Sequence, residues 1–124
     1  MAEPLRIGLT KQANAYLDEM LDFLKSQPGG QELIKFDLYR LAVALGVKKG
    51  LVPKPLSDKS DSTFRVTELD PDKALYYAVD AANLQDTDEA IYHIIERLAD
   101  QGIRQFYDAY QKNTGRLPWD KLLV

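Results

Sequence analysis

Apolar residues recur at positions i, i+3, i+4 and i+7 in five separate segments of this 124-residue chain. That spacing puts them on one side of an α-helix, so each segment predicts a helix with one buried face. The predicted helices span residues 10–26, 35–48, 71–83, 87–100 and 103–113. A short alternating run, Leu5 to Leu9, predicts one N-terminal strand. The predicted fold is therefore mainly α, with about five helices and a short N-terminal strand.

Capping residues mark several of these boundaries. The Thr10 hydroxyl can accept a hydrogen bond from an amide of the first helical turn. Asp70 followed by Pro71 predicts an N-cap and then a first helical residue, where a missing amide hydrogen is tolerated. Asp86 and Glu89 have the spacing of a capping box, with Asp in place of Ser or Thr. Gly102 is predicted to end the fourth helix in a left-handed conformation.

The length of the chain fits one helical domain with a single core, residues 1–124. It divides into a strand-helix-helix segment, a loop, a three-helix segment and an apolar tail, which span residues 1–50, 51–69, 70–115 and 116–124. The end of the loop, Phe64 to Thr67, is a candidate second strand before the third helix. No internal repeat interrupts this organisation.

Composition excludes several kinds of site. The chain has no cysteine, which rules out disulfides, thiol nucleophiles and cysteine-based zinc sites. His93 is its one histidine and has no second ligand at metal-binding spacing, so we expect an exposed helix residue and no metal site. The sequence shows no nucleophile–base pair and no phosphate-binding glycine loop, so we expect no enzymatic activity and no cofactor.

The sequence also lacks the signals of membrane insertion and export. It contains no run of about 18 apolar residues and no apolar signal segment near Glu3 and Pro4. The absence of cysteine suits a reducing compartment. The predicted location is therefore cytoplasmic, with no membrane contact.

Charge is distributed unevenly along the chain, whose formal net charge is −3. Residues 1–54 carry eight Lys or Arg against six Asp or Glu, whereas residues 55–124 carry eight against thirteen. Because phosphate contacts need cationic side chains, any DNA contact is expected in the N-terminal part. The overall negative charge instead favours a protein partner.

The N-terminal strand is the first candidate for DNA contact. If its odd-numbered residues, 5 to 9, face the core, then Arg6, Gly8 and Thr10 face outward. Arg6 could then contact a guanine or a phosphate, and the lysines at 48, 49 and 54 could contact backbone phosphate. The predicted DNA-binding residues are Arg6, Thr10, Lys11, Lys48 and Lys49. The alternative is a strand lying on its own helices, with Arg6 solvated and the lysines interacting with the end of their helix.

The second helix is apolar on nearly all sides, so it needs packing partners on more than one face. One interpretation makes it the central helix of a monomeric bundle. The other makes its second face, with Tyr39, Val43 and Val47, the core of a homo-oligomer or of a larger complex. The apolar C-terminal tail offers the same choice, because Trp119 can dock on its own domain or anchor a partner. The predicted partner-binding residues are therefore Tyr39, Val43, Val47 and Trp119.

Two stretches carry a resemblance to known families. Residues 4–49, from Pro-Leu-Arg-Ile-Gly-Leu-Thr-Lys to Leu-Ala-Val-Ala-Leu-Gly-Val-Lys-Lys, resemble the opening of ribbon-helix-helix DNA-binding proteins. They also resemble small helical accessory proteins of bacterial DNA phosphorothioation (Dnd) systems. The likeness to the Dnd proteins extends to Ile-Ile-Glu-Arg-Leu-Ala-Asp-Gln-Gly-Ile at residues 94–103, through an Ala-Leu-Gly pattern, a proline-containing loop and two acidic helices closing on a glycine.

The resemblance implies a non-enzymatic accessory or regulatory protein that associates with DNA, in a DNA-modification or anti-phage defence system. The connection between the first two helices is longer than a compact ribbon-helix-helix turn, and the last three helices have no counterpart in that fold. The alternative is a protein–protein interaction subunit of a larger complex, without direct DNA contact.

Overall fold

The computed structural model describes residues 3–27, 30, 32–58, 61, 63–82 and 89–112. Its elements, in chain order, are β1 (Arg6–Ile7), α1 (Lys11–Lys25), α2 (Lys35–Lys49), β2 (Phe64–Arg65), α3 (Val66–Leu69), α4 (Ala74–Ala82) and α5 (Ile91–Lys112). The fold is mainly α, with five helices among the described residues and a short antiparallel strand pair. The predicted fold class is therefore confirmed.

The first two helices follow the sequence prediction closely because their caps are local. Thr10 precedes α1 in an extended conformation, and its Oγ1 accepts a hydrogen bond from the Ala13 amide at 3.3 Å. α2 ends at Gly50, which has a φ of 61° and whose amide bonds to carbonyls of the last turn. Both caps depend only on neighbouring residues, so the sequence spacing locates them.

The predicted fourth and fifth helices are one continuous helix, α5, so the predicted boundary at Gly102 is wrong. Gly102 lies near the middle of α5, where α5 packs against α2. A Cβ atom on Gly102 would lie 2.4 Å from the carbonyl oxygen of Ala42. The glycine is therefore explained by the close approach of two helix backbones, and not by a left-handed helix end.

The third predicted helix begins later than expected, because the chain first forms the single turn α3. α4 starts at Ala74, so the assignment of Asp70 and Pro71 as its N-cap and first residue is wrong. Asp70 nevertheless caps α4 from outside the helix: its two carboxylate oxygens accept from the amides of Leu75 and Tyr76, each at 3.0 Å. The capping chemistry is thus supplied by the predicted side chain, although the turn after α3 displaces the helix start.

The N-terminus of α5 is capped by a residue from the start of the chain. The Glu3 carboxylate accepts hydrogen bonds from the amides of Ile91 and Tyr92 at 3.0 and 2.9 Å. Sequence spacing assigned a cap in this region to Asp86, which lies outside the described residues. A cap that is supplied from 88 positions away leaves no local pattern in the sequence.

The N-terminal strand pairs within its own chain. β1 runs antiparallel to β2, with Arg6 opposite Arg65 and Ile7 opposite Phe64. The candidate second strand is thereby confirmed at Phe64 and Arg65. The structure therefore agrees with the alternative interpretation, in which the strand lies on its own domain. The β1–β2 ribbon is built from one chain, unlike the strand pair of a ribbon-helix-helix dimer.

α2 lies at the centre of the core, as the monomeric interpretation of its sequence predicts. It contacts α1, α4 and α5 within the chain. Tyr39 and Val43, predicted as partner-binding residues, are 0% and 1% exposed. Because both faces of α2 are covered by the rest of the chain, neither residue is exposed to a partner in this structure, and that part of the prediction is corrected.

Candidate functional site

The outward face of the β1–β2 ribbon presents two arginines side by side. Arg6 and Arg65 are directly opposite in the strand register, and both are exposed. In an antiparallel pair the Cβ atoms of opposite residues lie about 5 Å apart. Arg65 forms an exposed ion pair with Glu68 at 3.8 Å, whereas no acidic side chain pairs with Arg6 among the residues that the structure describes. The ribbon therefore presents an excess of positive charge to solvent.

The predicted alternation of the N-terminal strand holds only in part. Arg6 is exposed as predicted, but Leu5 is 85% exposed although it was assigned to the core. Gly8 and Thr10 are buried, so their predicted outward orientation is wrong. β1 ends at Ile7, and the residues that follow it lie against α5, which covers them on the side that the alternation assigned to solvent.

Two buried carboxylates of α5 hold this segment. The Gly8 amide donates to Glu96 Oε2 at 2.8 Å, and the Thr10 amide donates to Asp100 Oδ2 at 2.9 Å. Glu96 and Asp100 are one helical turn apart, so they lie on the same face of α5 and reach two amides of the extended segment. The Tyr39 hydroxyl donates to the Gly8 carbonyl at 2.9 Å from α2. Side chains thus satisfy the buried backbone amides and carbonyl of this segment, which in a larger sheet would be paired by a neighbouring strand.

Arg104 extends this network towards the loop after α2. Its Nε donates to Asp100 Oδ1 at 2.8 Å, and its Nη2 donates to Thr10 Oγ1 at 2.9 Å. Its Nη1 donates to Gln12 at 2.7 Å, and Nη2 also reaches Ser57 Oγ at 3.3 Å. Thr10 Oγ1 in turn donates its single hydrogen to Asp100 at 2.8 Å. Thr10 is 1% exposed and fully bonded, so it positions the N-terminal segment and is not placed to contact DNA.

Two buried tyrosines near carboxylates are held in the neutral form. Burial raises the pKa of Tyr39 well above its ordinary value, and the negative charges of Glu96 and Asp100 raise it further. Burial also raises the pKa of Tyr92, as does its hydrogen bond to Asp70 Oδ2 at 2.9 Å. Both shifts favour the neutral phenol, so these residues act as hydrogen-bond donors within the core.

The other residues predicted to bind DNA or a partner lie on separate elements. Lys11 is exposed in the first turn of α1, and Lys48 and Lys49 are exposed at the end of α2. Val47 is half-buried against the core. Trp119 lies outside the described residues. The structure therefore does not bring the predicted site residues together at one place.

A cleft of about 260 Å³ lies between the loop after α2 and the surface of α5. Lys54, Arg97 and Arg104 are among its lining residues. Lys54 was predicted to act with the lysines of α2, whereas neither arginine of the cleft, nor Arg65 on the ribbon, was predicted as a site residue. The spacing of Arg104 four residues after Asp100 was the one available signal, and it indicates an ion pair without showing what else that pair contacts.

His93 is exposed on α5, as predicted, and its Nδ1 lies 3.7 Å from Glu96 Oε1. Among the described residues, no group of three His, Asp or Glu side chains is placed to hold a metal ion. Within the same ranges, no helix has both the length and the apolar character needed to cross a membrane.

Comparison of the chain with protein-family models, with curated proteins and with solved structures finds no match. The resemblance to ribbon-helix-helix and Dnd accessory proteins therefore stays a prediction from the motifs quoted above. A function for this chain therefore has to be inferred from the geometry and charge of the site itself.

Proposed function

We propose that this protein is a small non-enzymatic accessory or regulatory protein that associates with DNA. The observation that supports it is the pair Arg6 and Arg65, which lie opposite each other on the exposed face of the ribbon. The resemblance to Dnd accessory proteins suggests a place in a DNA-modification or anti-phage defence system.

The shape and charge of the ribbon suit contact with DNA. A two-stranded antiparallel ribbon fits the major groove of B-DNA, and an arginine can pair with a guanine edge or a phosphate there. Like charges directly opposite each other in a strand pair are destabilising, and an anion placed between them relieves that repulsion. Arg6 has no acidic partner among the described residues, so its guanidinium does not have to break an ion pair before it binds a phosphate.

The residues expected to contact DNA differ from those predicted from the sequence. Arg6 stays, Arg65 is added, and Thr10 becomes a positioning residue. Lys11, Lys48 and Lys49 remain predicted DNA contacts. Their ammonium groups are exposed and add to the positive electrostatic potential that attracts phosphate, although they do not lie on the ribbon. A single chain provides both arginines, so DNA contact through the ribbon does not require a dimer.

The test is DNA-binding anisotropy across a series from about 50 to 200 mM salt, with the double variant Arg6→Glu/Arg65→Glu. We expect wild-type binding to weaken as salt rises, and the salt slope of the variant to be smaller by about two, since two phosphate contacts are lost. Circular dichroism checks that the variant is folded.

The matched control is Lys25→Glu/Lys112→Glu, which makes the same change of net charge at the ends of α1 and α5. Lys25 is remote from the N-terminal segment that contains β1. α1 has 15 residues, so Lys25 lies about 21 Å along the helix axis from Lys11, the residue at which α1 begins after that segment. We expect the control to retain the wild-type slope. Equal losses in both double variants would show that only net charge matters, and would contradict a site on the ribbon.

The second candidate function is a protein–protein interaction subunit without DNA contact, and α4 is the observation that favours it. α4 is mostly apolar, yet Val79 is its one buried residue. Ala74, Tyr77, Ala78 and Ala81 are exposed at i, i+3, i+4 and i+7, and Tyr77 is 60% exposed. Such a stripe normally faces a packing partner. Absence of wild-type DNA binding at the lowest salt would favour this candidate over the first.

A further inference from the structure

The cleft beside α5 is built from two parts of the chain. One wall is the loop at residues 54–57, and the other is the face of α5 that carries Arg97, Asp100 and Arg104. Gln101 fixes the distance between them, because its Oε1 accepts from the Lys54 amide at 3.1 Å and its Nε2 donates to the Val52 carbonyl at 3.0 Å. The cleft is therefore formed before any ligand arrives, which lowers the entropy lost on binding.

Arg104 fixes the far end of the loop and forms the rigid part of the cleft. Its Nη2 lies 3.3 Å from Ser57 Oγ, and its Nε is paired with Asp100 at 2.8 Å. Asp100 is 4% exposed, and both of its carboxylate oxygens already accept hydrogen bonds from Thr10 or Arg104. Asp100 also lines the cleft, but these hydrogen bonds compensate its negative charge, so it opposes an incoming anion only weakly.

The remaining charges favour an anion. Arg97 is paired with Glu89 and keeps a quarter of its side chain exposed, while Lys54 is exposed and has no acidic partner among the described residues. Three cationic side chains therefore line the cleft with one carboxylate, that of Asp100, while Glu89 pairs with Arg97 without being a lining residue. The local balance is positive on a chain whose net charge is −3, which concentrates anions at this place.

We propose that this cleft binds a phosphate group, with the Lys54 ammonium and the Arg97 guanidinium as its contacts and Ser57 as a neutral hydrogen-bonding partner. The volume of about 260 Å³ accommodates a phosphate with part of an ester group. The site uses none of the residues of the ribbon, so it does not depend on the proposed DNA association. Inorganic phosphate and the phosphate of a nucleotide or nucleic-acid end present the same oxygens.

The test is a titration of the ¹⁵N-labelled protein with sodium phosphate against sodium chloride at constant ionic strength, followed by NMR. We expect saturating shifts of the amides of Lys54, Ser57 and Gln101. Lys54→Met keeps the aliphatic stem and removes the charge, and we expect it to weaken phosphate binding about tenfold, as the loss of one charge-assisted hydrogen bond predicts. Lys25→Met, with the same change of charge on the exposed end of α1, should bind like wild type.

A second arm distinguishes the sources of the phosphate. A short 5′-phosphorylated oligonucleotide that shifts the same amides, while its unphosphorylated form does not, identifies a nucleic-acid end; a response to inorganic phosphate alone identifies a small free anion. Shifts that do not saturate, or that are equal in wild type and Lys54→Met, would overturn the proposal. Arg6→Glu/Arg65→Glu should keep the full phosphate response. The proposed DNA contact through the ribbon and the proposed phosphate site in the cleft can therefore be contradicted independently of each other.

Discussion

At the scale of single residues, the structure depends on charges that sequence patterns assign to solvent. Glu96 and Asp100 are 7% and 4% exposed, although both belong to an amphipathic helix in the acidic half of the chain. A buried carboxylate is tolerated only where hydrogen bonds or an opposite charge compensate its lost hydration. The amides of Gly8 and Thr10, together with Arg104, provide that compensation for these two residues.

Asp100→Asn tests this compensation. The change removes the ion pair with Arg104 and leaves that guanidinium without its buried partner, so we expect a loss of about 3 kcal/mol in the free energy of unfolding. The matched control is Asp108→Asn, whose side chain is 64% exposed and pairs with Lys112 at the same i, i+4 spacing. There we expect at most about 0.5 kcal/mol. Urea unfolding measures both, and equal losses would contradict the structural role of Asp100.

At the scale of elements, the packing of α2 against α5 explains why two predicted helices are one. The apolar periodicity of α5 continues through residues 98–106 without a break, and glycine is tolerated within a helix where a neighbour packs closely. Gly102 meets the backbone of Ala42, whereas Gly46 on α2 meets the flexible side chain of Leu98. The two glycines therefore differ in how much space a methyl group would find.

Gly102→Ala and Gly46→Ala make this difference measurable. A Cβ at Gly102 would lie 2.4 Å from the Ala42 oxygen, so the helices must separate, and we expect a loss of at least about 2 kcal/mol. A Cβ at Gly46 would lie 3.1 Å from Leu98 Cδ2, which can move, and alanine favours the helix by up to about 1 kcal/mol. Gly46→Ala should thus remain within about 1 kcal/mol of wild type in thermal unfolding. A Gly102→Ala variant as stable as wild type would be inconsistent with the close approach of α5 to the backbone of Ala42.

At the scale of the whole molecule, the start of the chain is tied to α5 along much of that helix. Glu3 caps the N-terminus of α5, Gly8 bonds to Glu96 and Thr10 bonds to Asp100. Tyr39 joins α2 to the same segment and lies beside both buried carboxylates. Because these contacts join residues far apart in sequence, they are lost together when the chain unfolds.

The dependence of the free energy of unfolding on alkaline pH tests this coupling. The pKa of Tyr39 is raised in the folded chain, so above pH 10 the unfolded state loses a proton that the folded state keeps. Stability is therefore complete below pH 10 and falls as pH rises, by about 1.4 kcal/mol per pH unit for one such group. Tyr92, whose pKa is raised as well, acts in the same direction.

Tyr39→Phe isolates the contribution of Tyr39. At neutral pH it leaves the Gly8 carbonyl without its partner, which should destabilise the fold by about 1 kcal/mol. Between pH 10 and 11.5 the variant has no phenol to ionise at this position, so the gap to wild type should narrow. Urea midpoints at several pH values measure it, and a constant gap would show that Tyr39 does not titrate with unfolding.

Features that neighbouring residues control could be predicted from the sequence. Apolar spacing located α1 and α2, Thr10 was identified as the cap of α1, and a short alternating run located β1. The partner of β1, the merging of two predicted helices at Gly102 and the burial of Thr10 depend on long-range packing. It also brought together the opposed arginines of the ribbon and the cationic cleft beside α5. The reason is that helix spacing and caps depend on residues a few positions apart, whereas strand partners, helix crossings and buried charges depend on residues separated by most of the chain.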